Sequence, residues 1–265
     1  MSGASRSGKW GDLVPRLASG LAMIAVGVAA IWWGGAVFAA LSVLVTGLMV
    51  WELLMMLAPT RPGKAVGLGL VAAVILAFVF VIHEPLGLLY LLVVPIVAAI
   101  VAPGRRTVAA AYSIAIMLTG YGLVALREGA GLGAITWIVA VVVISDISGY
   151  FVGRTLGGPK FWPRVSPKKT WSGTVAGWVG AALVGFIFAQ MGGGLSMIWL
   201  SPLLAFAGQL GDIAESALKR STGVKDSSSL IPGHGGVLDR FDALTGAVLF
   251  LMLISQVMTL PLTEG

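Results

Sequence analysis

The sequence predicts an all-α polytopic membrane protein with about nine transmembrane helices, its N-terminus in the cytoplasm and its C-terminus outside. Hydrophobic residues make up 58% of the 265 residues, charged residues make up 11%, and the mean hydropathy is +0.98. Soluble domains are much less apolar than this. Apolar segments of about 20 residues, the length that crosses a bilayer, recur along the chain between short polar connections. The lack of cysteine excludes disulfides, thiolate metal sites and cysteine nucleophiles.

Nine segments have this length and character. They cover residues 17–34, 36–57, 65–82, 86–102, 107–126, 132–152, 172–190, 196–214 and 243–262. The first apolar block is divided at Gly34 and Gly35, where Trp32 and Trp33 suit an interfacial aromatic belt. We expect the first segment to remain as a span, because its apolar character continues well past the length of a signal-peptide hydrophobic region.

The basic residues predict the orientation of these spans. Threading nine spans from a cytoplasmic N-terminus places every Lys and Arg on the inner side, Arg6 and Lys9 included, except Arg127. Cytoplasmic loops of membrane proteins carry such an excess of positive charge. The net charge of +6 is therefore assigned to orientation and to contact with anionic lipid headgroups, not to nucleic-acid binding.

The chain is predicted to form a single integral membrane domain, residues 1–265, whose two halves differ in chemistry. Residues 1–130 have short loops and no polar cluster, so they are interpreted as scaffold helices. Glu52 near the end of the second span, and His83 and Glu84 in an outer loop, are expected to have structural or interfacial roles.

The second half carries the polar residues of interest. Residues 140–245 are interpreted as a catalytic half with two cytoplasmic loops, 153–171 and 217–242. An ionisable residue inside a membrane span is costly and is a functional candidate by default. Asp146 in the sixth span and Asp212 in the eighth are the first of these candidates.

The segment Gly211 to Arg220 presents a polar stripe. Asp212, Glu215, Ser216 and Lys219 are spaced i, i+3, i+4 and i+7, so they share one helical face. Carboxylate and hydroxyl oxygens suit Mg²⁺, which also takes water and substrate phosphate as ligands. The alternative is a simple ion pair between Glu215 and Lys219 within one helix.

The next segment, from Ser221 to Asp242, is too rich in Ser, Gly and Pro to continue the helix. Its glycines allow close approach of the backbone to a phosphate. If a helix starts near Val237, Asp239 and Asp242 share a face at i and i+3. An N-cap role would explain one of these aspartates, but not both.

The earlier loop, Gly153 to Gly173, carries five basic residues. Lys168, Lys169 and Thr170 stand where the seventh helix begins, a position that favours anions. A positive-inside loop would account for the charge alone. Together, cationic loops and carboxylate-bearing spans suit phosphoryl or nucleotidyl transfer, in which positioning and charge neutralisation dominate.

These residues form a long motif with fixed spacing. It reads Ser216-x2-Lys219-Arg220-x4-Lys225-Asp226-x5-Pro232-x-His234-Gly235-Gly236-x2-Asp239-Arg240-x-Asp242. The motif closely resembles the signature of the phosphatidate cytidylyltransferase, or CDP-diacylglycerol synthase, family. The resemblance extends to the Asp146 region with Gly153-Arg154 and to Ser166-Pro167-Lys168-Lys169-Thr170, and it covers about 100 residues of the second half.

The resemblance implies a reaction in which phosphatidic acid attacks CTP, giving CDP-diacylglycerol and pyrophosphate. The implied cofactor is Mg²⁺, with or without a second metal ion. The resemblance also implies a multi-pass protein of the cell inner membrane among membrane lipids, with the site facing the cytoplasm, and a homodimer.

The implied catalytic residues are Asp212, Asp239, Asp242, Lys219 and Arg240. The implied metal ligands are Asp212, Glu215, Ser216, Asp239 and Asp242. The implied substrate-binding residues are Asp146, Arg154, Lys168, Lys169, Thr170, Arg220, Lys225, Asp226, His234, Gly235 and Gly236.

Three positions depart from the family pattern. Ser172 stands where the family usually has Glu, Ser228 where Gly is common, and Ala243 where Ser is common. His234 could donate to a phosphate or act as a base, and both roles remain open. A transporter or channel is the alternative function, but it would distribute charges along a path through the bilayer, and this sequence gathers them on one side.

Overall fold

Apolar segments in a bilayer form helices because every backbone polar group must be hydrogen-bonded internally. The computed structural model describes residues 13–82 and 84–260, and this part of the chain is almost entirely helical. The helices are α1 (Leu13–Trp33), α2 (Gly35–Leu57), α3 (Pro62–Ile82), α4 (Val93–Val101), α5 (Arg106–Gly129), α6 (Gly131–Thr155), α7 (Trp171–Gln190), α8 (Met197–Thr222) and α9 (Leu238–Ile254). Short 3₁₀ helices cover Pro85–Leu92 and Pro103–Arg105. The predicted all-α membrane fold is confirmed.

Each predicted span corresponds to a helix in this order. Within the described ranges, seven helices are long and apolar enough to cross a membrane: α1, α2, α3, α5, α6, α7 and α8. The fourth predicted span is a shorter apolar segment, Leu86–Val101, and α9 has 17 residues and ends at Ile254, before the predicted 262. Arg6, Lys9, His83 and residues 261–262 of the ninth predicted span lie outside the described residues.

The predicted division between the first two spans is confirmed. Gly34 and Gly35 have φ of 64° and 47°, in the left-handed region that favours glycine, and they separate α1 from α2. Arg127 donates from Nε to the carbonyl oxygen of Ile31 at 3.0 Å, and so satisfies a free carbonyl at the end of α1.

The helices pack in two groups that meet along α5 and α9. In the first group α2 contacts α3 and α5, and in the second α6, α7, α8 and α9 pack in sequence. The first core includes Met49, Leu53, Leu76 and Ile116, and the second includes Trp137, Ile138, Leu200 and Leu204. α1 stands apart, because only 6% of its membrane-length window is buried. Its apolar side chains therefore face outward along most of its length.

The two long polar loops of the second half are shorter than predicted. α8 continues to Thr222, where Gly223 (φ 77°) ends it, so Lys219 and Arg220 lie on the helix and not in a loop starting at 217. α6 likewise continues to Thr155. The predicted start of a helix near Val237 is confirmed, since α9 begins at Leu238.

A β-hairpin replaces the rest of the predicted loop 153–171. Its strands, β1 (Lys160–Trp162) and β2 (Ser166–Thr170), pair antiparallel and lead directly into α7. The rings of Phe161 and Trp171 pack edge to face, with their centroids 4.7 Å apart. This contact holds the hairpin against the start of α7. The sequence did not predict this hairpin.

Glycines let α8 and α9 approach closely beside the polar region. A Cβ on Gly246 would overlap the carbonyl oxygen of Ala207, and a Cβ on Gly211 would overlap that of Asp242. Neither carbonyl can move without disturbing its own helix. The distance between α8 and α9, and with it the position of Asp242, depends on these glycines.

We expect Gly246→Ala to lower the free energy of unfolding by about 1–3 kcal/mol, because the added methyl forces α8 and α9 apart. Thermal unfolding in detergent measures the effect. The control is Gly27→Ala on α1, where a Cβ would meet no atom within 4 Å. Equal unfolding temperatures for the two variants would contradict the proposed packing.

Candidate active site

A polar cavity of about 880 Å³ lies among α6, β2, α7, α8 and α9. Its carboxylates are Asp146, Asp212, Asp226, Asp239 and Asp242. Its cations are Arg154, Lys160, Lys168, Lys169, Lys219 and Arg240. The cavity therefore combines groups that bind cations with groups that bind phosphate, at the ends of otherwise apolar helices.

The polar stripe of α8 is formed as its spacing predicted. Ser216 Oγ donates to Asp212 Oδ1 at 3.2 Å. Lys219 forms an ion pair with Glu215 one turn earlier, which was the structural alternative for these two residues. Lys219 Nζ also lies 2.6 Å from Asp239 Oδ1, so it links α8 to α9. The ion pair is therefore formed, and of the four residues of the stripe Asp212 and Lys219 line the cavity, while a metal-binding role for the stripe stays a prediction.

Asp239 organises the loop that precedes α9. Its Oδ2 accepts hydrogen bonds from the backbone N–H groups of Gly236 (2.7 Å) and Ser227 (2.9 Å), and Ser227 Oγ lies 2.9 Å away. Burial opposes ionisation, but the hydrogen bond from Lys219 and those from the two backbone groups lower the pKa of Asp239 to about 2. Asp239 is therefore a negatively charged, internally bonded anchor at the helix N-terminus.

Glu52 of α2 holds the same helix end from the other side. Its side chain is fully buried and accepts hydrogen bonds from the backbone N–H groups of Val237 (2.9 Å) and Leu238 (2.7 Å). The hydroxyls of Ser227 and Ser228 lie 3.1 and 2.6 Å from its oxygens. The predicted structural role of Glu52 fits these contacts, although the residue lies in the interior and not at an interface.

The hairpin brings a lysine to the cavity and starts α7. Lys169 forms an ion pair with Asp212. Thr170 caps α7, because its Oγ1 accepts from the backbone N–H of Gly173 at 3.2 Å. Ser172, where a Glu is usual, donates to the carbonyl oxygen of Gly157 and does not line the cavity. Ser172 thus stabilises the turn and supplies no ligand.

One face of α6 forms the opposite wall. Asp146, Tyr150 and Arg154 are spaced four residues apart and all line the cavity. Arg154 donates to the Tyr150 hydroxyl at 2.6 Å, which orients the guanidinium. Deeper in the wall, Gln209 accepts from Trp178 Nε1 at 3.0 Å and donates to Ser145 Oγ at 3.3 Å.

The structure brings most of the predicted site residues together. All five predicted catalytic residues line the cavity, as do Asp146, Arg154, Lys168, Lys169, Thr170 and Asp226. Lys225, His234 and Gly235 line a neighbouring cavity of about 590 Å³, which also includes Asp226 and Arg240. Arg220, Gly236, Glu215 and Ser216 line neither cavity. Gly236 instead packs against Ser227 and Glu52, where a Cβ would collide.

Comparison of the sequence with known proteins shows the family to which the chain belongs. The model described as "Cytidylyltransferase family" matches residues 14–258. The chain belongs to this family.

Curated relatives are named phosphatidate cytidylyltransferase. The chain is 46% identical to that of Brucella abortus over 137 residues, which is 51% of each protein. It is 43% identical to that of Haemophilus influenzae over 128 residues, 45% of this chain and 44% of the relative. With that of Bacillus subtilis it shares 41% over 128 residues, 47% and 48% of the two chains. The matches thus span about half the length of these curated relatives.

A divalent cation fits the carboxylates of this cytidylyltransferase-family cavity. In the described part of the chain, no three acidic or histidine side chains form a ready metal-binding group. Two carboxylates suffice for Mg²⁺, which keeps several waters and binds substrate phosphates. Asp146, Asp212 and Asp242 all line the cavity, and carboxylates that share a cavity away from bulk water favour a cation among them. Asp239 and Glu215 are less suited, because their side chains are 3% and 2% exposed and both pair with Lys219, whereas Asp212, which pairs with Lys169, is 29% exposed.

Several residues of this family member's site were not predicted. Tyr150 and Gln209 line the cavity, and Glu52 holds the loop that carries Asp239. The single signal for Glu52 was a charge inside an apolar span, and its partners lie 175 or more residues away. The signal for Tyr150 was its place midway between Asp146 and Arg154.

We expect Glu52→Ala to destabilise the protein by about 3 kcal/mol or more, because two backbone N–H groups and two hydroxyls lose a buried charged acceptor. Thermal unfolding in detergent measures this loss. Glu84→Ala, which removes an exposed carboxylate, is the matched control and is expected to stay within about 0.5 kcal/mol of wild type. Equal stability of the two variants would contradict the role of Glu52 in holding the start of α9.

Proposed function

We propose that the protein transfers the cytidylyl group of CTP to phosphatidic acid, giving CDP-diacylglycerol and pyrophosphate, at the cytoplasmic face of the cell inner membrane. The observation that carries the proposal is the cavity itself, where six cations surround a set of aspartates at the ends of membrane helices. Membership of the cytidylyltransferase family and the names of the curated relatives support the same reaction.

In the proposed reaction an oxygen of the lipid phosphate attacks the α-phosphorus of CTP. A new P–O bond forms, the bond from the α-phosphorus to the oxygen that bridges to the β-phosphorus breaks, and its electron pair leaves with pyrophosphate. A phosphate monoester is ionised near neutral pH, so the nucleophile needs no general base. Catalysis then consists of positioning and charge neutralisation.

The cavity residues divide this work by location. Lys160, Lys168 and Arg154, on the hairpin and α6, are proposed to hold the triphosphate. Arg240 is exposed and borders both cavities, so it can reach a phosphate in either one. Lys219 is fixed between Glu215 and Asp239, and so presents a positive charge without freedom to move.

Mg²⁺ would be held by Asp212 and Asp242, with water and phosphate oxygens as the remaining ligands. Bound there, it would neutralise charge that develops on the phosphate oxygens. A second metal ion and a homodimer, both implied by the resemblance, are carried as further parts of the proposal.

The alternative of a transporter or channel is not favoured. Both cavities lie at one end of the helix bundle, where α6 and α8 end and α7 and α9 begin. A transport path would continue with polar groups toward the other end of these helices. There the buried residues of α7 to α9 include Val184, Leu204 and Leu251.

We expect the purified protein to release pyrophosphate from CTP only when Mg²⁺ and phosphatidic acid are both present. Asp242→Asn should lower kcat by about a hundredfold or more, because it removes one of the two carboxylates proposed to hold Mg²⁺. Glu128→Gln, which neutralises an exposed carboxylate near the end of α5, is the control and should leave kcat unchanged. A folded protein that binds neither CTP nor phosphatidic acid would refute the proposal.

The cytoplasmic orientation has a direct test, because the chain contains no cysteine. Ser229→Cys, exposed in the loop before α9, should be shielded from a membrane-impermeant maleimide in intact bacterial spheroplasts. Gly129→Cys, exposed at the C-terminal end of α5, should be labelled there. The reverse pattern would place the cavities on the outer face.

A further inference from the structure

The second cavity borders the first and is distinctly basic. Its volume is about 590 Å³, and its wall includes Arg16, Lys225, His234 and Arg240. Arg240 and Asp226 line both cavities, so the two spaces share a wall. Arg16 comes from α1, which contributes nothing to the first cavity. We infer that this second cavity binds the phosphate monoester of the lipid substrate, while the first holds the nucleotide triphosphate, and this inference rests on the proposed function.

A specific contact fixes α1 to the loop that carries His234. Ser19 Oγ lies 2.9 Å from His234 Nδ1 and 2.9 Å from the carbonyl oxygen of Pro232. The Ser19 hydroxyl has one proton to donate. When it donates to the carbonyl oxygen of Pro232, its oxygen accepts the second hydrogen bond, and Nδ1 of His234 is then the protonated donor. The ring packs beside Gly20, where an added Cβ would lie in ordinary van der Waals contact, 3.4 Å from Cε1. The polar end of an exposed helix is thereby built into the site.

Arg16 is held by the shape of the same loop. Gly233 has φ of 74°, and a Cβ on it would overlap Cγ of Arg16. The loop turns back tightly here, since Ile231 and Gly235 form a β-bridge in which the N–H of Ile231 donates to Gly235 at 2.8 Å. The glycine turn therefore leaves the space through which the arginine side chain enters the cavity wall.

The exposure of α1 selects a lipid as the source of the phosphate. Leu17, Leu21 and Ile24 are 61%, 58% and 64% exposed, so the helix that carries Arg16 presents apolar side chains outward from the cavity. A lipid whose phosphate contacts Arg16 can lay its acyl chains along this surface. The first cavity, walled by α6 to α9 and the hairpin, is the larger of the two at about 880 against 590 Å³, and so has more room for a nucleoside triphosphate.

The shared wall gives this division a chemical consequence. A phosphate in the second cavity and a triphosphate in the first would both lie beside Arg240. Attack by one phosphate on another requires that repulsion between two anions be offset where they meet. An exposed guanidinium at the junction, with five N–H donors, suits that purpose.

The test compares lipid and nucleotide kinetics of Arg16→Ala in mixed micelles. We expect the apparent KM for phosphatidic acid to rise about tenfold, the loss typical of a charged hydrogen bond. The KM for CTP and kcat at saturating lipid should stay within about twofold of wild type. Arg16→Lys should recover part of the lipid affinity. Lys64→Ala removes an exposed cation that lines neither cavity and should change none of these values.

Two outcomes would overturn the inference. An equal rise in the KM for CTP would assign the cavity to the nucleotide, and unchanged kinetics in folded Arg16→Ala would remove it from the site. Product inhibition tests whether the cavity binds free pyrophosphate instead of the lipid. If pyrophosphate inhibits Arg16→Ala more weakly than wild type while the KM for phosphatidic acid is unchanged, the cavity binds pyrophosphate and the inference is contradicted. Binding of CTP and phosphatidic acid to wild type, measured without turnover, shows separately whether the proposed function itself fails.

Discussion

The start of α9 depends on one buried carboxylate from the other half of the molecule. Glu52 accepts the first free N–H groups of that helix and contacts two serines of the preceding loop. The helix N-terminus carries a partial positive charge, so a carboxylate is a favourable partner there. Leu218, Val237 and Leu238 are buried in the core formed around α2 and α3. Helices of the first half thus support the start of α9, the helix that carries Asp239 and Asp242.

A second constraint is the cost of charge inside an apolar bundle. Asp239 meets this cost with Lys219 and three donors from its own loop, and Glu215 meets it with the same lysine. Buried ion pairs add little stability by themselves, but removal of one partner leaves a charge that nothing compensates. Lys219 therefore pairs with Asp239 and Glu215, and Lys169 pairs with Asp212. Asp242 and Asp146 are left facing the cavity, where a ligand can meet their charge.

The sequence predicted the helices well and the connections poorly, for a physical reason. Hydropathy reports where a chain can lie in lipid, so it found each helix in order. It does not report where backbone hydrogen bonding stops, and α8 continues past its last apolar residues to Thr222. The hairpin was missed because strands of three and five residues with Pro and Lys give no clear alternation.

Contacts between distant segments were also beyond a single sequence. Most aspartates and lysines of the site could be named because each stands in a short polar segment or is a charge within an apolar span. Glu52 and Ser19 could not be connected to these segments, since their partners are 175 to 215 residues away. Both belong to helices whose composition indicated only scaffold. Local spacing thus predicted which groups form the site, while the fold determined which groups hold them.

The two cavities follow from the chemistry that the site would have to perform. In the proposed reaction one substrate is dissolved in water and the other in lipid, and their phosphates meet at the boundary between the two phases. The larger cavity suits the soluble anion, because six cations line it. A cavity closed by an outer helix suits the lipid, because the same helix can present Arg16 inward and apolar side chains outward. The weak burial of α1, which would be a defect in a purely structural helix, is then the property that brings the membrane to the site.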